Sequence, residues 1–235
     1  MNRYDLSDFV KLDLSENFKL SIPKRLIKNL QQVFDDYKIV TLSGFSDLVK
    51  VVYDCGANFG AFSILMRMSY PDARIICYEP DPYIFQLLSQ YSQMYNFEAH
   101  NEALSDYNGK AILWKGNEGS YDNSLIPNPC TGRGCLEVNI SAPENHEIEQ
   151  IDVIKIDTEG SEVPILSSVL KKFYPWCVYL EYHSEADRVE LDSMLRERYI
   201  LIGATTTQPY RGQRQYLAKD FLYRFPKIQE IEIKK

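Results

Sequence analysis

The chain has 235 residues, with 26 Lys and Arg against 33 Asp and Glu, a formal net charge of −7; this argues against a dedicated nucleic-acid binder, because phosphate contacts demand a concentrated basic surface. With 45% apolar residues and 11 each of Gly and Pro, collagen-like, low-complexity and generally disordered chains are excluded. The length suits one large domain, with or without a short appendage, since single domains run up to roughly 250 residues.

No stretch approaches the roughly 18 apolar residues of a membrane span, and Met1-Asn2-Arg3-Tyr4-Asp5 continues with charges rather than an apolar signal core. The expectation is a cytoplasmic protein with no membrane contact. Residues 1–45 read as a helical appendage: a helix over 22–37 places Ile22, Leu26, Ile27, Leu30, Val33, Phe34 and Tyr37 on one face. From residue 50 the pattern becomes strand, turn, helix. Strands are expected at 50–54, 74–78, 97–100, 152–156 and 176–182, with helices over 59–69, from Asp81-Pro82 to about Met94, and over 185–198. Alternation of this kind implies a parallel sheet covered on both faces. Ala111–Trp114 and Leu136–Ile140 look like extra strands flanking an inserted loop, 115–135, and Tyr199–Thr206 with Gln215–Ala218 forms a terminal antiparallel pair. Five Cys residues suit a reduced chain rather than a disulfide framework, and Cys130, Cys135 and His146 are taken as loop and structural residues in preference to an incomplete zinc site.

The chemistry concentrates at strand ends. Asp54-Cys55-Gly56-Ala57-Asn58-Phe59-Gly60 ends the first core strand and opens a helix, where glycines permit a sharp turn and helix-start amides favour an anionic group such as a carboxylate. Glu79 ends the next strand, 25 residues on, where a carboxylate accepts hydrogen bonds from ribose hydroxyls. A dinucleotide calls for Gly-x-Gly-x-x-Gly. Here the spacing is Gly-x-x-x-Gly, and Asp54 would repel a pyrophosphate while suiting the ammonium of a methionine moiety. The pattern therefore favours S-adenosylmethionine over a nicotinamide dinucleotide.

Four blocks, Val52–Gly60, Tyr78-Glu79-Pro80-Asp81-Pro82, Asn101–Asp106 and Ile151–Glu162, resemble in content and order the FkbM-type family of S-adenosylmethionine-dependent methyltransferases. The resemblance covers roughly residues 50–205. It implies an α/β, class I Rossmann-like methyltransferase domain over 46–235, with a mostly parallel seven-stranded sheet, a terminal antiparallel pair and helices on both faces. It further implies that Gly56, Ala57, Asn58 and Gly60 line the methionine part, that Glu79 with Pro80 holds the ribose, and that Asn101, Glu102 and Ala103 lie by the adenine. Asp157 would face the sulfonium and amino group.

Methyl transfer to a hydroxyl needs in-line positioning and a base. Asp157, Glu159 and Glu162 cluster at the end of one strand, while Glu181 and His183, two residues apart, share a side at the end of the next. Two readings stay open. Either His183 or a carboxylate among Asp157, Glu159 and Glu181 is the general base, or several of these groups hold a divalent cation that anchors a sugar diol. The metal-independent version is preferred, because Glu162 equally suits the first turn of a helix. His100 and His146 read as structural. Ser120, Tyr121, Asn123 and Arg133 of the inserted loop, with Tyr210, Arg211 and Arg214, are the acceptor-recognition candidates.

The expected activity is O-methylation of a small polar acceptor, a sugar or nucleotide-linked sugar of glycan synthesis, without a nucleic-acid partner. A nicotinamide-dependent oxidoreductase, an N-methyltransferase, an RNA methyltransferase and a non-catalytic nucleoside-binding module are the rivals.

Overall fold

The structure, a computed structural model, describes residues 8–16, 18–37, 46–116, 123–127 and 134–224. The chain divides into two units, one within Met1–Lys38 and one within Ile39–Lys235.

The first unit differs from the helix expected over 22–37. Strands β1 (Phe9–Ser15) and β2 (Phe18–Pro23) form an antiparallel hairpin, and helix α1 spans only Ile27–Asp36. Ile22 lies inside a strand instead of starting a helix. The cause is a period of two: Leu20 and Ile22 are buried while Lys19 and Ser21 are exposed, and Pro23 cannot donate the next ladder hydrogen bond.

The second unit is built on a seven-stranded sheet. Its elements are β3 (Val51–Cys55), α2 (Ala61–Ser69), β4 (Arg74–Tyr78), α3 (Pro82–Tyr95), β5 (Glu98–His100), β6 (Ala103–Leu104), β7 (Gly109–Trp114), β8 (Cys135–Ser141), β9 (Val153–Ile156), α4 (Glu162–Lys172), β10 (Cys177–Tyr182), α5 (Glu185–Leu195), β11 (Tyr199–Gln208), β12 (Arg211–Ala218) and α6 (Lys219–Arg224). The strand order is β11-β12-β10-β9-β3-β4-β5. Pairings among β5, β4, β3, β9 and β10 are parallel, and β12 runs antiparallel to both neighbours. The expected sheet is thus present, with the terminal hairpin wedged in beside β10. The two extra strands, β7 and β8, join the short β6 in a separate three-stranded sheet, β6-β8-β7.

Strand alternation decides the layers. Tyr53, Cys55, Ile154, Ile156, Val178 and Leu180 point to one face, where they are buried with Ile165, Leu166 and Val169 of α4 and Leu191 and Leu195 of α5. Phe62 of α2 meets Tyr179 edge-on from the other face, at 5.7 Å between ring centroids. Chain direction changes sides at β3. Its C-terminal end, between β4 and β9, is where open α/β sheets bind ligands.

His146 illustrates a structural histidine. Its Nδ1 lies 3.0 Å from the Tyr53 hydroxyl and 3.2 Å from that of Tyr78, and its Nε2 lies 3.0 Å from Ser141 Oγ. Both ring nitrogens are engaged, which removes it from any zinc site; burial pushes it down to about 4. His100 stacks on Tyr78. Cys135 is exposed, and Cys130 lies outside the described residues.

Candidate functional site

The turn after β3 is shaped by close approach. Gly56 has φ +74°, and a Cβ there would stand 1.9 Å from the Asp157 carbonyl oxygen, so no side chain fits. The Gly56 and Ala57 amides both donate to Tyr78 O, the Asn58 amide to Glu79 Oε2, the Phe59 amide to Asn58 Oδ1 and the Gly60 amide to Ala57 O. The expectation of free amides over 56–60 for an anionic group is therefore corrected. Every one of them is already bonded inside the protein.

Glu79 ends β4, buried, with Oε2 on the Asn58 amide at 2.9 Å and Oε1 on the Asp81 amide at 2.8 Å. Each oxygen keeps a second lone pair for a hydroxyl donor. Burial pushes the carboxyl up to about 7, against the two amides that favour its charged form. Asp81 caps α3 through the Tyr83 amide.

Asp54 is placed differently from expectation. Asp54 is wholly buried, its Oδ2 accepting the Ser63 hydroxyl, and Lys155 Nζ stands 3.4 Å from its Oδ1. Alternation along β3 turns it away from the Tyr53 face toward α2, so it cannot itself receive a ligand's ammonium. Lys155, in register with Asp54 across β3 and β9, also donates to Gly56 O at 2.6 Å and lies 3.7 Å from Asp157 Oδ2. Burial alone would lower its ammonium, but Asp54 and Asp157 hold it above its ordinary range. Lys155 thus ties the glycine turn to both acids, a role the strand pattern had not suggested.

Asp157, Glu159, Glu181 and His183 do come together, at the ends of β9 and β10. His183 Nε2 is 3.2 Å from Glu159 Oε2, 3.8 Å from Glu181 Oε1 and 3.9 Å from Asp157 Oδ1. Glu162, fully buried, accepts the Thr158 amide at 2.8 Å and the Gly160 amide at 2.9 Å, and lies 3.2 Å from His183 Nδ1. Its burial would raise it, yet His183 and these amides hold it below the usual carboxylate range. Its work is organising: it shapes a turn in which Glu159 adopts φ +56° and Gly160 φ +113°. Desolvation opposes a charge on His183, but Glu159 and Glu162 overcome it and raise the ring to about 11. Burial and the neighbouring Asp157 push Glu181 up to about 7, while Arg211 pulls the other way.

Arg211 enters from the β11–β12 turn and bridges Glu159 Oε1 at 2.6 Å and Glu181 Oε1 at 2.7 Å. Among the other acceptor candidates, Ser120, Tyr121 and Arg133 lie outside the described residues. Asn123 is a brace: its amide donates to Asp81 Oδ2 and its carbonyl accepts the Gly116 amide. Next to it, Ser124 Oγ donates to Glu159 O, and a Cβ on Gly160 would meet Ile126 at 2.5 Å. The described part of the insertion therefore lies directly on the Glu159–Gly160 turn. Tyr210 is exposed, and Arg214 donates to Thr205 O and Gln213 O within the hairpin.

The adenine candidates divide. Asn101 donates its side-chain amide to Glu79 O and Pro80 O, holding the β4 turn. Ala103 packs with Leu113, Val138 and Ile140 in the core of the small sheet, so its side chain does not face the crevice. Glu102 and Pro80 are half-buried beside the Glu79 turn.

With this geometry in place, the comparisons are specific. A family model described as methyltransferase FkbM domain matches residues 54–201. The protein called methyltransferase sdnD, from Sordaria araneosa, is 28% identical over 135 residues, covering 53% of this chain and 48% of that protein. The chain thus spans about half the length of this curated relative. A solved structure of a putative O-methyltransferase from Klebsiella pneumoniae matches with TM-score 0.51 and 13% identity over 83% of this chain and 88% of that one, a likeness of fold. The tRNA (uracil-54, C5)-methyltransferase of Pyrococcus abyssi, solved with S-adenosyl-L-homocysteine, matches with TM-score 0.47 and 9% identity over 90% of this chain and 44% of that one.

Proposed function

Because the chain belongs to the FkbM methyltransferase domain family, we propose that it transfers a methyl group from S-adenosylmethionine to a hydroxyl of a small polar acceptor, a sugar or nucleotide-linked sugar. The observation that carries the cofactor is the pairing of an acid-lined crevice with a turn whose amides are all taken. A pyrophosphate needs free N–H donors and would meet Asp157, Glu159 and Glu181, whereas a sulfonium and an ammonium are drawn to those carboxylates. Glu79, with acceptor capacity left on both oxygens, suits the ribose diol.

In the reaction the acceptor oxygen attacks the methyl carbon, the carbon–sulfur bond breaks, and its electron pair goes to sulfur, leaving neutral S-adenosylhomocysteine. The acceptor's proton passes to a carboxylate. We assign this base to Glu181, buried at the end of β10 with Oε1 held by Arg211 and Oε2 left to receive the proton. Asp157, nearest to Lys155, faces the cofactor's amine.

The substrate class is tested with S-adenosylmethionine labelled in its methyl group, offered with sugar nucleotides, amines and RNA oligonucleotides. The expected product is a labelled methyl ether on a sugar, stable to mild base. Label on nitrogen or in RNA, with sugars untouched, overturns the hydroxyl acceptor.

A further inference from the structure

We propose that Lys155 is a positioning residue for cofactor binding: its buried ammonium, lodged between the ends of β3 and β9, aims Asp157 at the cofactor's amine. This role rests on the reading that Asp157 meets that amine. Residues two apart on a strand share a side, so the Lys155 side chain runs along β9 toward Asp157, with Asp54 beside it on β3.

The contacts of the ammonium separate a binding role from a packing role. Its hydrogen bonds go to Gly56 O at 2.6 Å and Cys55 O at 3.4 Å, and Asp157 Oδ2 lies 3.7 Å away. Asp54 Oδ1, also 3.4 Å away, is buried and makes no hydrogen bond. An ammonium kept only to neutralise Asp54 would donate to it; this one is drawn past Asp54 to the C-terminal strand ends, where the ligand crevice lies. Stability alone does not call for the pair either. A buried ion pair replaced by apolar residues of similar volume is often neutral or stabilising, and the rest of β9 is Val153, Ile154 and Ile156.

Asp157 needs such a restraint. Its side chain is 26% exposed, and among the described residues its carboxylate is flanked by Lys155 on Oδ2 and by His183, 3.9 Å from Oδ1, without a hydrogen bond to either. With the ammonium gone, the carboxylate would have to be ordered each time the ligand binds, which costs affinity. The glycine turn would hold, because the Gly56 and Ala57 amides keep Tyr78 O and the Asn58 amide keeps Glu79. The effect is therefore confined to the amino-acid end of the ligand.

The test compares S-adenosylhomocysteine with 5′-methylthioadenosine, the thioether nucleoside without the amino-acid part. Both are titrated by calorimetry into the wild-type chain, Asp157→Asn and the double variant Asp54→Asn, Lys155→Met. The double variant keeps the summed charge of the crevice and, unlike Lys155→Met alone, most of the stability; thermal unfolding on the same samples checks that it is folded. Asp157→Asn should weaken S-adenosylhomocysteine tenfold or more, as for a lost charged hydrogen-bond partner. The double variant should weaken it roughly 3–10-fold, the cost of ordering one side chain, with 5′-methylthioadenosine changed by less than about twofold. Equal S-adenosylhomocysteine affinity in the double variant and the wild type, tighter binding by the double variant, or an equal loss for both ligands overturns the positioning role and leaves the cofactor assignment standing. No S-adenosylhomocysteine binding by the wild type, or undiminished binding by Asp157→Asn, overturns the reading of Asp157 and the role of Lys155 with it.

Discussion

Lys155→Met is expected to destabilise the second unit by about 3–5 kcal/mol, the cost of leaving a buried charge without its partner. The ammonium touches Gly56 O, Asp54 and Asp157 at once, and Asp54 has no exposure at all. Methionine fills nearly the same volume, so the loss isolates charge from packing. Unfolding followed by heat should show a drop on the order of 10 °C for a domain of this size. The double variant Asp54→Asn, Lys155→Met removes both charges and should recover most of it, since a buried pair replaced as a unit is close to neutral. A single variant within about 1 kcal/mol of wild type would mean that the ammonium is not what neutralises Asp54.

The second large effect is on rate. Glu181→Gln keeps the shape of the side chain and an acceptor for Arg211 but cannot take a proton, so kcat should fall about 10²–10⁴-fold. S-adenosylhomocysteine affinity should stay within a few-fold, because this ligand carries no sulfonium for Glu181 to attract and its amine is met by Asp157. Steady-state kinetics beside calorimetry separate the two. Equal kcat in the variant and the wild type would remove Glu181 as the base.

The core was legible because its signals are strong and local. Apolar β-branched runs ending in Gly56, Glu79 and Asp157, each followed by a helix, leave few topologies once parallel crossovers are right-handed. The N-terminal hairpin was equally written in the chain: Val10, Leu12 and Leu14 alternate with Lys11 and Asp13. The misreading came from the next segment, whose apolar residues fit a helical period from Leu26 onward and were extended back through Pro23.

Site residues divided along a different line. Asp157, Glu159, Glu181 and His183 were found because adjacent parallel strands bring their C-terminal ends into one crevice. Asp54 and Lys155 needed both pairing and parity. A lysine inside Val153-Ile154-Lys155-Ile156 has to meet a carboxylate, and the match to Asp54 appears only when β3 and β9 are placed in register. Asn101 and Asn123 look identical to ligand-binding amides in sequence; their partners, Glu79 O, Pro80 O, Asp81 and the Gly116 amide, lie 7 to 42 residues away. No local pattern encodes such braces.

The central claim is that the crevice beside Glu79 and Asp157 takes S-adenosylmethionine, and calorimetric titration with S-adenosylhomocysteine addresses it directly. One site is expected, with affinity in the micromolar range usual for enzyme ligands, roughly 1 μM to 1 mM. Glu79→Ala should weaken it by tenfold or more, as loss of a charged acceptor for two hydroxyls costs at least about 1.5 kcal/mol. Glu79 sits at about 7 in the free protein, and hydroxyl donors prefer its charged form, so affinity should decline as pH falls below that value. No heat with S-adenosylhomocysteine, or undiminished binding by Glu79→Ala, would contradict the account.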